Sequence, residues 1–288
     1  MMAVPRVDLP GKRITTALAV TIVLLAVAHL VFQSVRYHLG IHNLYDLVDL
    51  FDMGVEANLP TYFSSMQLLF VALLLFMIGR LRRQANDRYA PHWLWLSLIF
   101  LLLSVDEMSE IHEMTIRPIR ELAPGIVTGF FYWAWVIPAM ALVVIVSICY
   151  ARFVFRYLPP YMRRATVLGA AVFVGGAVGV EMPEAAFVQA NGMENYTYAL
   201  FVLVEEVMEM VGILIFLSGL LRYIATELGE FSVRVVPSNA TRPARSTQAS
   251  AATVSPVAAS VAASEKAGAT AHAAATTSFP NTQRRVVS

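Results

Sequence analysis

The chain has 288 residues, 58% of them hydrophobic and 14% charged, with a formal net charge of +1. Soluble globular chains carry about a quarter charged residues and at most about half apolar ones. This composition, with apolar runs long enough to cross a bilayer, excludes a soluble enzyme, a nucleic-acid binder and a disordered regulator as descriptions of the whole chain. The single cysteine, Cys149, excludes an intramolecular disulfide, a CxxC redox motif and a zinc finger. The only lysines, Lys12 and Lys266, lie outside the apolar runs, so no retinal Schiff base can form within a span.

Taken in chain order, the apolar runs predict spans near 14–34, 62–80, 92–113, 127–150, 165–185 and 197–224. The expected architecture is an all-α polytopic transmembrane bundle of six spans over 1–230. The first run is long for a signal-peptide core and five more follow, so it reads as an uncleaved helix. After it, "HNLYDLVDLFDMGVEANLPTYFSS" sets Leu44, Leu47, Val48 and Phe51 on one stripe, with Asp46, Asp49 and Asp52 elsewhere. That pattern predicts a short helix lying in the interface and stopped at Gly54. Asp52 and Glu56 are then placed to cap the intramembrane acids, or the segment is a plain connector. The fourth run opens "GFFYWAWVIP", where Phe130, Phe131, Tyr132, Trp133 and Trp135 read as an aromatic belt; a stacking platform for a lipid is the sharper reading. Gly175 and Gly179 form a GxxxG expected to permit close helix packing. Beyond about 231 the chain turns to Ala, Thr, Ser, Val and Pro, the composition of a disordered cytoplasmic tail.

Charge orients the bundle. With six spans, eighteen of the 21 Lys and Arg fall on the side of the two termini, leaving Arg36, Arg117 and Arg120 opposite. The positive-inside rule then makes both termini cytoplasmic. The acids sort the other way: only Asp8, Asp87, Glu227, Glu230 and Glu265 of the twenty Asp and Glu lie on the cytoplasmic side. Acids contribute little to orientation, so their bias needs its own explanation.

Three runs carry the acids. In "LSVDEMSEIHE" a helix would bring Asp106, Glu110 and Glu113 onto one face, with Glu107 flanking it and His112 pointing elsewhere. "GVEMPEA" puts Glu181 and Glu184 one turn apart beside Pro183, and "VLVEEVMEMVG" puts Glu205 and Glu209 on one face with Glu206 beside them. By rise per residue, Asp106 and Glu181 lie roughly 20–25 Å across a core of about 30 Å from the cytoplasmic side, and Glu205 to Glu209 roughly 9–18 Å from the outer side. Intramembrane acids are costly and mark functional sites. Carboxylates this close cannot all ionise without a cation or shared protons.

A bound divalent metal (Fe, Mn, Zn or Ca) satisfies that demand, with Asp106, Glu110, Glu113, Glu181, Glu184, Glu205 and Glu209 as candidate ligands. Protonated, hydrogen-bonded carboxyls are the competing answer. The Glu-x-x-His motif of ferritin-like sites is absent, since Ser109 stands three residues before His112. His29, His38 and His42 are further candidate nitrogen ligands. "VDEMSE" and "VEEVME" share a pattern on oppositely directed spans, but an in-plane two-fold axis would send one site to the inner half, so they are not read as an inverted repeat.

The inner halves of the runs hold no ionisable side chain except Cys149 and Tyr150, so a route for ions would stop halfway. The site is therefore expected to open outward. The leading expectation is a metal-dependent enzyme on a lipid-like or amphipathic substrate, with Glu107, Glu206 or His112 as general base. A proton- or cation-coupled transporter and a membrane assembly protein are the alternatives. No nucleophile elbow, P-loop or HExxH is present. Over residues 40–215, the segments "LFDMGVEANLPTYFSS", "LSVDEMSEIHE" and "VEEVMEM" resemble a family of uncharacterised bacterial polytopic membrane proteins. The resemblance implies a bacterial inner membrane and the six-span plan, and no activity.

Overall fold

A computed structural model describes residues 10–42 and 44–229, and every described element is helical or a turn. The tail expected over 231–288, and the boundary before it, lie outside the described residues. Helix α1 covers Gly11–His38, and Arg36 and His38 sit in its last turn, where cations offset the negative end of the helix dipole. The connector folds into one short helix, α2 (Leu47–Leu50), whose Val48 is buried while Phe51 stacks on Phe32 of α1 at 5.3 Å. Helix α3 (Leu59–Gln84) starts where Asn58 Oδ1 accepts the Thr61 N–H at 3.2 Å, with Pro60 in the first turn. It turns at Asn86, whose φ of 55° reverses the chain into α4 (Ala90–Ser109).

Two expected spans are shifted. The third was expected to reach 113, but Glu110 adopts φ 47°, ψ 38° and ends α4 at Ser109. A left-handed residue cannot continue a right-handed helix. The fourth was expected from 127, yet residues Gly129–Phe131 form only a 3₁₀ turn, after the short α5 (Ile116–Leu122), and α6 runs Val136–Arg156. Helix α7 (Pro160–Val174) passes through a π-helical segment, Gly175–Val180, into α8 (Glu181–Asn191). Pro183 has no N–H for the carbonyl four residues back, and a wider turn relieves the clash of its ring there. Helix α9 (Tyr196–Tyr223) begins with Asn195 accepting the Tyr198 N–H at 3.0 Å.

Helix α9 is the hub: α1, α3, α7 and α8 all pack on it, while α3 and α4 form a long antiparallel pair. The α7–α9 seam is closed by four glycines seven residues apart on each helix. A Cβ on Gly169 would stand 2.8 Å from the Gly212 carbonyl oxygen, one on Gly212 2.6 Å from Phe173 N, one on Gly176 2.8 Å from the Glu205 carbonyl oxygen, and one on Gly219 2.5 Å from Ala165 Cβ. This corrects the expected role of Gly175 and Gly179. The Gly179 position meets only its own helix, at 4.0 Å, and Gly175 only the flexible end of Met208. The widened turn rotates that pair off the seam.

One end of the bundle carries most of the arginines and the other most of the acids. At the arginine end Leu75, Trp93, Phe153, Leu217 and Tyr223 form the main core, closed by Arg82 donating to the Tyr223 hydroxyl at 2.6 Å and Tyr157 donating to Asp87. Towards the acidic end a smaller core joins Ile22 and Leu25 to Met53, Val202 and Met210. Large apolar side chains face outward along α1 (Val20, Val23, Leu24, Val27, Val31) and α6 (Leu142, Val144, Ile145, Ile148). Water would penalise such faces heavily and lipid does not. Five helices, Gly11–His38, Leu59–Gln84, Ala90–Ser109, Val136–Arg156 and the α7–α8 unit Pro160–Asn191, are long and apolar enough to cross a membrane. Helix α9 is as long as α1 at 28 residues, but Glu205, Glu206, Glu209 and Arg222 leave no 18-residue stretch with fewer than three charges. These are the features of a membrane protein.

Candidate functional site: an acidic end organised by His112 and two tryptophans

The chain break at Glu110 makes the site. Instead of rotating away on a continued helix, His112 folds back, so that its Nδ1 meets Asp106 Oδ2 at 2.9 Å and its backbone N–H donates to Asp106 Oδ1 at 2.9 Å. With Nδ1–H as the donor, Nε2 is left as the basic nitrogen. Burial pushes the His112 imidazole down, but the Asp106 hydrogen bond and charge, with Glu181 and Glu113 adding to them, outweigh it and raise His112 above its ordinary value. The expected helical face of Asp106, Glu110 and Glu113 does not exist, because the last two lie beyond the helix. Glu110 and Glu113 instead border Glu56 on the outer rim.

Aromatic residues join this pair to the other helices. The Trp135 ring packs on His112 with centroids 4.5 Å apart, and its Nε1 donates to Glu181 Oε1 at 2.6 Å. Trp133 lies beside Glu184. The π-helical segment delays α8 so that Glu181 and Glu184 turn inward together, 8% and 4% exposed. Both carboxyls neighbour Glu205 on α9. One oxygen of Glu184, Oε2, is buried without a partner. Deeper along α9, Glu206 neighbours Glu107 and Glu56, while Glu209 neighbours Glu107, Glu181 and Asp106. Glu107 lies beside Ser64 of α3, and Gln67, one turn on, donates to the Met210 carbonyl at 3.2 Å while its Oε1 is buried and unpartnered.

All ten sequence-predicted residues thus sit at one end of the bundle, in two tiers. The inner tier is Asp106, Glu107, His112, Glu181, Glu184, Glu205, Glu206 and Glu209, and the rim is Glu110 and Glu113. No group of three or more His, Cys, Asp or Glu among the described residues is arranged to hold a metal ion. The side chains meet as carboxyl pairs rather than as a ligand shell. The cations of this end are engaged elsewhere. Arg36 bonds Asp52 at 3.3 Å and Glu194 at 3.2 Å, Arg117 bonds Glu121 at 3.1 Å, and Arg120 donates to the Tyr132 carbonyl at 3.0 Å.

The connector covers part of this end as a lid. Asp52 turns to Arg36 and to the Gly54 N–H, at 3.0 Å, and away from the acids, so only Glu56 of the expected pair lies over them. Desolvation, reinforced by Glu107, Glu110 and Glu113, pushes Glu56 up to about 7. Asn58 pins the lid by donating to the carbonyls of Asp49 (3.1 Å) and Val55 (2.7 Å). His29, expected as a candidate ligand, is structural: it is 1% exposed, its Nε2 donates to the Ala199 carbonyl at 3.0 Å and its Nδ1 accepts the Met53 N–H at 3.0 Å. Both ring nitrogens are therefore spent. His38 packs on Tyr196 at 4.6 Å. Sequence reasoning missed Trp133 and Trp135 as partners of the acids. Their signal was the "WAW" spacing directly before a span, which also fits an interfacial belt.

A family described as a domain of unknown function (DUF8692) matches residues 17–224. No curated protein and no solved structure matches the chain. The match runs from within α1 to the end of α9 and takes in the whole acidic end. The chain belongs to that family.

Proposed function

We propose that this member of the DUF8692 family is a six-span bacterial inner-membrane protein, with both termini cytoplasmic, whose outward-facing acidic end is a cation site serving metal-assisted chemistry on a lipid-like or amphipathic substrate. The observation that carries it is the meeting of Glu181, Glu184 and Glu205. Two buried carboxyls, Glu181 and Glu184, flank the half-buried Glu205, with no guanidinium or ammonium beside them. Such a group holds together only around a proton or a cation. The unpartnered Glu184 Oε2 and Gln67 Oε1 are oxygen donors of the kind that suits hard and borderline divalent ions. Asp106 behind His112 is the carboxylate–histidine arrangement that fixes an imidazole for ligation or for general-base work at Nε2. Glu107 and Glu206 are the alternative bases, closer to the middle of the bundle. A metal held here supplies Lewis acidity or an activated water.

A second reading, a proton- or cation-coupled transporter, is favoured by the pairing of carboxyls with one another in place of a ligand shell. Elemental analysis of the detergent-purified full chain, beside Glu181→Gln/Glu184→Gln/Glu205→Gln, separates the two. The metal reading expects roughly one or two divalent ions per chain, lost in the triple variant. A wild-type protein that stays metal-free after incubation with Fe, Mn, Zn and Ca salts would overturn it and put the transport reading first.

A further inference from the structure

The arginine end carries a second site, independent of the acidic one. The turn between α3 and α4 opens as a groove of about 670 Å³ lined by Arg83, Asn86, Arg88, Pro91, Leu94 and Trp95. Asp87 also lines it, but that carboxylate is already occupied. It accepts from the Tyr157 hydroxyl and from the Tyr89 N–H at 2.8 Å, and Arg82 lies 3.9 Å away. Arg83 and Arg88 are exposed, and neither forms an ion pair among the described residues. The Arg88 guanidinium sits over the Tyr89 ring at 4.8 Å, held at the mouth of the groove. The N-terminus of the 20-residue α4 adds its positive end at the same place.

What the groove continues into selects the ligand. From its floor, Trp95 (64% exposed), Leu98 (40%), Leu102 (59%) and Val105 (44%) run along one side of α4. Trp95 to Val105 covers about 15 Å at helical rise, half of a hydrocarbon core of about 30 Å. A polyvalent cationic mouth leading onto an apolar track one leaflet long fits an anion with an acyl chain attached, and a free phosphate would leave the track unused. We propose that this groove binds an anionic glycerophospholipid, its headgroup phosphate between Arg83 and Arg88 and one acyl chain along Trp95, Leu98 and Leu102.

Quenching of tryptophan fluorescence by brominated lipids tests this on the full chain in nanodiscs. Dibrominated phosphatidylglycerol, diluted in unbrominated phosphatidylcholine, is compared with dibrominated phosphatidylcholine. The expected result is a preference for the anionic lipid of roughly thirtyfold, about fivefold per arginine. The preference should fall towards unity in Arg83→Gln/Arg88→Gln, and Trp95→Phe should lose the anion-specific quenching. Equal quenching of the wild type by the two lipids would overturn the proposal, and so would a preference that survives the double variant. Abolition of the preference by tens of millimolar inorganic phosphate would assign the site to a free anion instead. Were the double variant to unfold, Arg83→Gln alone, with an expected loss of about fivefold, decides the same question.

Discussion

At the scale of single residues, the pair Asp106–His112 makes the clearest demand. His112 is raised by Asp106 against the pull of burial, so its contribution to stability is complete below the ordinary histidine range and is lost as pH rises through its raised value. In the metal-depleted protein, Asp106→Asn should lower the His112 titration midpoint, read by NMR of ring-labelled histidine; an unmoved midpoint would mean the hydrogen bond does not form in solution. Glu56 provides the matching acid. Its value of about 7 lies above the ordinary carboxyl value of 4.5. Its protonated form therefore favours the fold below about 4.5, and that benefit disappears as pH rises through about 7. Glu56→Gln should flatten the fall in thermal midpoint between pH 5 and pH 8, and an equally steep fall in the variant would sink this account. None of this was legible in the residue string beyond the presence of acids. A histidine three places past a helix end can face anywhere, and only the left-handed turn at Glu110 sends it back to Asp106.

At the scale of elements, the α7–α9 seam is the contact most sensitive to added volume. A valine at Gly212 must displace the Phe173 backbone, 2.6 Å from its first side-chain carbon, whereas Gly125 faces open space. Overpacking of this kind costs about 1–3 kcal/mol and more where backbone must move. Gly212→Val should lower the thermal midpoint in detergent by several degrees while Gly125→Ala leaves it in place; equal effects would show that the helices do not approach this closely. Helix positions were readable from apolar length, which is why the long helices fall close to their expected ranges. Their ends were not, because Glu110, the 3₁₀ turn at Gly129–Phe131 and the π-helical segment are backbone choices without a composition signal. The glycine pair chosen from spacing was wrong for that reason: Gly175 and Gly179 fit the pattern, but the widened turn hands the seam to Gly169 and Gly176.

At the scale of the whole molecule, acids and arginines occupy opposite ends, and the proposed orientation assigns each end to a side of the membrane. Cys149 is the only cysteine, so single-cysteine reporters need one background change. In a Cys149→Ala chain, Leu122→Cys should react with a membrane-impermeant maleimide on intact cells, and Asn86→Cys only after permeabilisation; the reverse pattern would invert the topology. Leu122 is 86% exposed and Asn86 lies in an exposed turn, so access itself does not limit either reaction. At this level the apolar length of the helices was legible, because it acts through bulk physics of the bilayer and needs no side-chain geometry, while the assignment of each end to a side rests on arginine placement alone.

The hub position of α9 also has a consequence for biosynthesis. It is the last long helix to leave the ribosome among those described, and Glu205, Glu206 and Glu209 make it the one that partitions least readily into lipid from the translocon. Yet α1, emerging first, depends on it for its main helical partner, through a bond between His29 and Ala199 that spans 170 positions of sequence. Until α9 is made, the polar side of α1 and the glycine-lined side of α7 lack the helix they pack on. The acids of α9 in turn meet Glu181 and Glu184 of α8 and Glu107 of α4, on helices made before it.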